Sequence, residues 1–429
     1  MKKLKATALA ALLSATATIA FSDEDSGAYL AARQAQIEHD FAAAAQYYSQ
    51  ALTRDRANPV IMEAAVASFL SLGDVDKAVS IARAMDELDL RSQIANMALV
   101  AKKVADEDYG TVLDRLGDDR GLGALGDGLI TAWVELGRGD MSAAAENFDK
   151  VAAQRGLNNF ALYHKALALA SVGDFETAEE IFSGGGNAPL QRTRRGVVAW
   201  AQILSQLERN EEALKIIDET FGSNQDPEIT ALREKLSRDE AVPFSLIKNA
   251  QDGVAEVFYS IGQAILSESG EQFTLLYART AEYLSPDHVD SILMSAELLE
   301  TLGRYELATE VYKRVPREHP AFSAAEVGRA EALRRAEKPD AAIEVLEQLR
   351  SSHPELPLVH VSAGDLYRQN ERYQEAVDAY DAALKIFAER QSDQWFVHYA
   401  RAISYERLGI WDSAEADFRK ALELNPDHP

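Results

Sequence analysis

Small residues recur along this chain with a period of about 34 residues. Alanine holds one position of that period at Ala44, Ala78, Ala144, Ala178, Ala213, Ala308, Ala342, Ala376 and Ala414. In most periods a second small residue stands twelve positions earlier, for example Ala32, Ala166 and Ala330. Two antiparallel helices approach closely only where side chains are small. The pattern therefore predicts a repeated helix–turn–helix unit whose two helices cross at these residues.

Helix-ending residues divide the period in the same way. Leu-Gly pairs precede the turn between the two helices at Leu72-Gly73, Leu136-Gly137, Leu302-Gly303 and Leu408-Gly409. Glycine there supplies the left-handed conformation of a helix C-cap. Proline closes some second helices, at Pro320, Pro354 and Pro426, because proline cannot continue a helix.

The last period carries most of a known repeat pattern. Its residues are Ala402, Tyr405, Trp411, Ala414, Phe418, Ala421 and Pro426. The pattern resembles the tetratricopeptide repeat (TPR) family, and the chain looks like an exported bacterial member of it. This resemblance implies an all-α fold, a right-handed α-α superhelix of about ten to eleven helix pairs. It is specific for the fold and says little about the partner.

The regularity of the repeats predicts four segments. We expect a signal peptide at 1–22, a degenerate repeat array at 23–227, an irregular seam at 228–254, and a second array at 255–429. The apolar stretch around Phe244 in the seam either packs into its own superhelix or contacts a partner. Packing is favoured, because an uncovered apolar run promotes aggregation.

The first residues predict export. Lys2, Lys3 and Lys5 precede an uncharged, mostly apolar stretch from Ala6 to Ala20, which is typical of a secretory signal peptide. The stretch is short for a membrane-spanning helix, which needs about 20 apolar residues. We expect a periplasmic protein, with an uncleaved inner-membrane anchor as the alternative. The chain has no cysteine, which excludes disulfides and lipidation at a cleavage-site cysteine.

Charge excludes one class of partner. The formal net charge is −25, whereas a nucleic-acid-binding surface needs clustered Lys and Arg. The same excess argues against binding of the folded body to anionic membranes. It leaves other proteins or peptide segments as partners, among them basic ones.

No motif predicts catalysis, a cofactor or a metal. Gly121, Gly123 and Gly126 match a dinucleotide-binding spacing, but a polar turn stands where that motif needs a strand. Ser245 and Lys248 have the spacing of penicillin-binding enzymes without the companion Lys-Thr-Gly. The histidines follow no metal-ligand spacing. We therefore predict that the protein is not an enzyme and uses no cofactor.

The resemblance implies where a partner would bind. In this family, set positions of each first helix line the concave groove, which here gives Tyr259, Gln263, Asp290, Glu297, Glu300, Glu331, Arg334, Asp365, Arg368, Tyr399, Glu406 and Arg407. The lysine and asparagine with which some members hold a terminal carboxylate are absent from the corresponding positions. The acidic members of this set favour a basic or hydrogen-bonding segment.

Three functions remain open. The favoured one is a non-catalytic periplasmic scaffold of the cell envelope that binds a partner in its groove. The alternatives are a self-assembling structural subunit and an accessory subunit of envelope polysaccharide synthesis or export. No polar capping helix follows Leu422, although solenoids normally need one. We therefore expect either a further repeat beyond residue 429 or a homo-oligomer formed through this end.

Overall fold

The computed structural model describes residues 20–118, 120–185, 189–222, 226–389 and 394–426, with side chains from residue 27 onward. Within these ranges the chain forms 23 helices and no strand, so the predicted all-α tetratricopeptide superhelix is confirmed. The predicted signal peptide at 1–22 lies almost wholly outside the described residues. No described helix is long and apolar enough to cross a membrane.

The chain divides into two compact units, with the boundary between Gly303 and Arg304. Unit 1 contains α1 (Ala20–Ile37), α2 (Phe41–Leu52), α3 (Pro59–Leu72), α4 (Val75–Glu87), α5 (Gln93–Ala105), α6 (Tyr109–Gly117), α7 (Ala124–Gly137), α8 (Met141–Ala152), α9 (Asn158–Ser171), α10 (Phe175–Ser183), α11 (Arg194–Gln206), α12 (Asn210–Phe221), α13 (Pro227–Ser237), α14 (Ala250–Ser269), α15 (Glu271–Leu284) and α16 (Val289–Thr301). Unit 2 contains α17 (Tyr305–Tyr312), α18 (Phe322–Arg335), α19 (Pro339–Ser352), α20 (Pro357–Gln369), α21 (Tyr373–Glu389), α22 (Trp395–Arg407) and α23 (Trp411–Leu424).

The repeated alanines lie where the helices of each pair cross. All nine are buried, eight of them completely, and Ala414 is 3% exposed. Gly364 marks the tightest of these crossings in unit 2, because a Cβ built there would lie 2.6 Å from the ring of Tyr380. The small-residue pattern is therefore a packing signal, as predicted.

A second periodic signal stabilises the start of the first five second helices. Asp40, Asp74, Asp108, Asp140 and Asp174 are the N-caps of α2, α4, α6, α8 and α10. Each carboxylate accepts a hydrogen bond from the amide three residues on, for example from Ala143 N to Asp140 at 2.9 Å. Such a cap satisfies an amide that the helix itself cannot pair. Sequence analysis missed this acidic period.

The predicted glycine C-caps are confirmed at three of four turns. Gly73, Gly303 and Gly409 have φ of 79°, 71° and 74°. The assignment of Gly137 is wrong, because α7 includes Gly137 and the left-handed residue is Gly139, with φ of 87°. The left-handed residue after α7 therefore lies two positions later than the Leu-Gly pair suggests.

The predicted seam folds into unit 1. α13 is a single helix, and the stretch from Asp239 to Asn249 that follows it is irregular. Val242 and Ile247 are nonetheless buried, and Phe244 packs against the same core. The apolar stretch around Phe244 therefore packs into its own superhelix, as the sequence favoured.

The pair α14–α15 folds back onto the first helices of earlier repeats. α14 contacts α5, α7 and α9, while α15 contacts α3 and α5. Gly253 of α14 lies so close to Trp133 of α7 that a Cβ on Gly253 would stand 2.2 Å from the indole ring. For this reason residues 255–303 belong to unit 1, and the boundary between the units does not coincide with the predicted array boundary at residue 255.

Candidate functional site

The first-helix face of unit 1 is covered by the chain itself. We define this face as the sides of α3, α5, α7 and α9 that contact α14–α15, together with the side of α11 whose Arg195 bonds to Glu256 of α14. Its polar contacts join residues far apart in sequence: buried Arg279 of α15 donates from Nε to the Ser71 carbonyl at 3.2 Å, and His164 Nε2 of α9 lies 3.0 Å from Ser260 Oγ of α14. A partner cannot use this face without displacing α14–α15.

A buried ionic cluster holds α14 against α9 and α11. Glu256 of α14 is 1% exposed. Its carboxylate accepts hydrogen bonds from Tyr163 Oη at 2.8 Å and from Arg195 Nη2 at 2.7 Å. The same carboxylate lies 3.1 Å from His288 Nε2. A buried carboxylate is tolerated only when it is paired in this way.

Asp290 extends the cluster to a second arginine. It accepts from Arg195 Nη1 and, at 2.9 Å, from Arg194 Nη1. Arg194 also pairs with Asp226 at 2.7 Å and with Glu228 at 2.7 Å. Both guanidinium groups are thus shared among carboxylates from α13, α14, α16 and the residue before α13.

The cluster shifts the protonation of its members. Burial alone would raise the pKa of Glu256, but Arg195 and His288 outweigh it and hold that pKa well below its usual range. Burial likewise opposes ionisation of Asp290, yet Arg195 and Arg194 lower its pKa. Burial lowers the pKa of His164 to about 4, so its imidazole is neutral at pH 7. Both carboxylates are ionised at pH 7, and the cluster is a charged one.

One cavity remains beside α14. It has a volume of about 400 Å³ and lies where α9, the loop before α11 and α14 meet. Its lining includes Tyr163, Arg195, Glu256, Tyr259 and Gln263. Two of the predicted groove residues, Tyr259 and Gln263, therefore face this cavity.

Unit 2 presents the corresponding helix face to solvent. Leu358 of α20 is 57% exposed, and Phe396 and Tyr399 of α22 are 41% and 48% exposed. Phe396 and Tyr399 are three residues apart and share one side of α22. We call these three side chains the apolar strip of unit 2. Large apolar side chains that are exposed on the first helices of unit 2 are candidates for contact with a partner protein.

The predicted groove residues do not form one surface of one unit. Tyr259, Gln263, Asp290, Glu297 and Glu300 belong to unit 1, and Glu331, Arg334, Asp365, Arg368, Tyr399, Glu406 and Arg407 belong to unit 2. In unit 2 several of them pair with each other: Arg334 with Glu331 at 2.6 Å and Arg368 with Asp365 at 3.2 Å. Glu406 and Arg407 are exposed at the end of α22.

Sequence analysis named Asp290 of the buried cluster as a groove residue and missed the other members. Glu256 carries a readable signal, since it is a single charge within the apolar run Val254, Ala255, Val257 and Phe258. Arg195 and His164 carry none, because nothing in their local sequence indicates that α14 will return to meet them. His288 is the N-cap of α16.

The glycine motif has a structural explanation. No strand precedes it among the described residues, and its loop amides are already occupied: Leu122 N donates to Asp127 Oδ1 at 2.6 Å and Gly123 N to Oδ2 at 3.3 Å. The loop binds its own carboxylate where the nucleotide motif would bind phosphate.

The other chemical matches are likewise engaged in packing. Ser245 bonds to Gln202 through its amide at 3.0 Å, while Lys248 lies 3.3 Å from Asp287. No group of three potential metal ligands occurs among the residues searched, which are the described ones.

Comparison with known families agrees with the repeat geometry. Models of the tetratricopeptide repeat match residues 131–189, 327–393 and 395–428. These three ranges are tetratricopeptide repeats. A comparison with curated proteins found no match to this chain.

Comparison with solved structures finds similarities at low sequence identity and low TM-score. MamA 41-end from Desulfovibrio magneticus RS-1 is 20% identical, with 41% of this chain and 96% of that chain covered and a TM-score of 0.35. YrrB, described as a tetratricopeptide protein with an unusual peptide-binding site, is 14% identical, with 41% and 88% covered and a TM-score of 0.32. The Cut9–Hcn1 hetero-tetramer of the APC/C is 15% identical, with 94% and 88% covered and a TM-score of 0.34.

Proposed function

We propose that this protein is a non-catalytic scaffold of the bacterial cell envelope, exported to the periplasm, that holds a partner protein on the apolar strip of unit 2. Tetratricopeptide repeat proteins are protein-interaction modules, and the charge, the absence of a metal-ligand spacing and the paired state of the buried acids give no support to catalysis. The location rests on the signal-like N-terminus alone.

One observation carries the choice of unit 2. The same kind of helix face is covered by α14–α15 in unit 1, whereas Leu358, Phe396 and Tyr399 are open to solvent. Apolar and aromatic anchors of this kind contribute most of the binding energy in protein interfaces. The ion pairs Glu331–Arg334 and Asp365–Arg368 on neighbouring first helices of unit 2 supply a polar surface around them.

Charge favours a basic partner. The net charge of −25 attracts basic proteins over distances of about a Debye length. In unit 1, partial desolvation and then the charge of Glu300 raise the pKa of Glu297, so an added positive charge there would relieve repulsion between two carboxylates.

Site-specific photo-crosslinking in the full-length protein tests this proposal. A photoreactive phenylalanine at Leu358 or at Tyr399 is expected to capture the same partner in envelope fractions, and more weakly at high salt. The matched control is Lys385, an exposed position on α21. Equal capture at all three positions would reject the apolar strip as the binding surface, whereas a crosslink only to a second copy of this chain would reject the scaffold and favour the self-assembling alternative. Fractionation of the cells tests the location separately.

A further inference from the structure

The cavity beside α14 has the dimensions of a small-ligand site. Its volume of about 400 Å³ falls within the range of roughly 300–1,000 Å³ that small-molecule pockets occupy. It is bounded by three elements of unit 1, so it would hold one compact group more readily than an extended segment of chain.

The charges in its wall are already matched. Arg195 donates through Nε and Nη2 to Glu256 and through Nη1 to Asp290. Arg194 is shared between Asp226, Glu228 and Asp290 in the same way. A charged ligand would have to break one of these pairs, and removing one partner of a buried pair is costly. The wall therefore favours an uncharged ligand.

The remaining polar groups of the lining can both donate and accept. Asn159, Gln191 and Gln263 contribute amide groups, and Tyr259 contributes a hydroxyl. Among the described residues, neither the side chains of Asn159 and Gln191 nor the Tyr259 hydroxyl makes a hydrogen bond, and Gln263 has only a 3.4 Å contact with the Met294 sulfur. Hydroxyl groups also donate and accept, so a ligand with several hydroxyls would match this set.

The lining also includes an apolar part. Phe160, Leu190 and Ala264 lie in the same cavity as the rings of Tyr163 and Tyr259. Aromatic faces pack well against the C–H groups of a ring whose hydroxyls point to its edges. Amide side chains and aromatic rings together thus define the class of ligand.

We propose that unit 1 binds a small, uncharged, hydroxyl-rich ligand of the sugar class in the cavity between α9, α11 and α14. This site is independent of partner binding by unit 2, because it lies within unit 1 and uses none of the residues of the apolar strip. A ligand with a single sugar ring would bind this site weakly, with a dissociation constant of about 1 mM, because it would make only a few hydrogen bonds.

Saturation-transfer NMR on the full chain tests the proposal. The probes are glucose, galactose, N-acetylglucosamine and maltose, each at a few times the roughly 1 mM dissociation constant expected, together with an uncharged glycine–serine peptide of similar mass. We expect transfer to at least one sugar and none to the peptide. The double variant Gln191→Ala, Gln263→Ala is expected to weaken sugar binding about five- to tenfold, since it removes two of the amide groups that would hydrogen-bond to the ligand.

The matched control is Gln154→Ala, which removes an exposed amide of unit 1 outside the cavity and should leave binding unchanged. Both cavity amides are exposed, so their loss should not disturb folding, and circular dichroism checks this. Absence of transfer to all four sugars, equal transfer in the double variant, or transfer to the peptide alone would overturn the proposal; the last result would assign the cavity to a partner segment.

Discussion

His164 shows how a single side chain records the burial around it. It lies between α7 and α14, where Trp133 Nε1 donates to its Nδ1 at 3.1 Å and its Nε2 lies 3.0 Å from Ser260 Oγ. Both ring nitrogens are used by neutral partners, and burial lowers the pKa from its ordinary value of 6.5 to about 4. Between about pH 4 and pH 6.5 the His164 imidazole is therefore neutral in the native state and protonated in the unfolded chain.

This exclusion predicts a pH dependence of stability. The contribution of His164 is fully present above pH 6.5 and is lost as pH falls towards 4, because the unfolded state then binds the proton first. Between pH 7.5 and pH 5 we expect the wild type to lose about 2 kcal/mol more than His164→Gln, which stays neutral throughout. Urea unfolding at the two pH values measures this. Parallel losses in both proteins would show that His164 is accessible to protons in the native state.

At the scale of helices, α14 is distinguished by one glycine within its apolar buried side. Gly253 allows α14 to approach Trp133 of α7, whose indole is completely buried. A pair of helices can approach so closely only where one of them has no side chain. The fold-back of α14–α15 thus depends on this position as well as on the Glu256 cluster.

The variant Gly253→Ala tests the approach. Its Cβ would stand 2.2 Å from the Trp133 ring, and overpacking of this kind typically costs about 1–3 kcal/mol. Gly110→Ala is the matched control: Gly110 is an exposed helical glycine of α6 with no neighbour within 4 Å of the built Cβ, so alanine should stabilise by up to about 1 kcal/mol. Chemical denaturation followed by far-UV circular dichroism compares the two. If both variants gained stability, α14 would not pack on α7 as described.

At the scale of the whole molecule, the two units differ in how far their contacts reach along the chain. In unit 1 the Arg279–Ser71 hydrogen bond joins residues 208 positions apart. The described side-chain bonds of unit 2 join neighbouring helices or hairpins, for example Arg401 of α22 with Asp417 of α23 at 2.7 Å. Repeat arrays with only nearest-neighbour contacts unfold in parts, whereas long-range contacts make a unit cooperative.

We therefore expect unit 1 to unfold at higher denaturant concentration than unit 2. The tryptophans separate the two: Trp133 and Trp200 lie in unit 1, and Trp395 and Trp411 in unit 2. In the variant Trp395→Phe, Trp411→Phe, fluorescence reports unit 1 alone, while circular dichroism reports both. The fluorescence midpoint should exceed that of the circular dichroism curve. Coincident transitions would mean that the chain unfolds as one body.

Sequence periodicity was sufficient for the elements. The alanine period placed the crossings of nine helix pairs, and the Leu-Gly pairs placed three turns, because both act through contacts within one unit of about 34 residues. The location, the partner and the groove residues as a binding surface remain predictions.

What the sequence alone determined is local: helix identity, pairing and family, since each unit packs by the same small residues. Only the tertiary structure decided that α14–α15 returns to cover the first helices of unit 1. The residues that hold it there, Arg195, Glu256 and Trp133, come from separate repeats, and their proximity depends on the summed path of every helix between them. No window of one repeat contains that information.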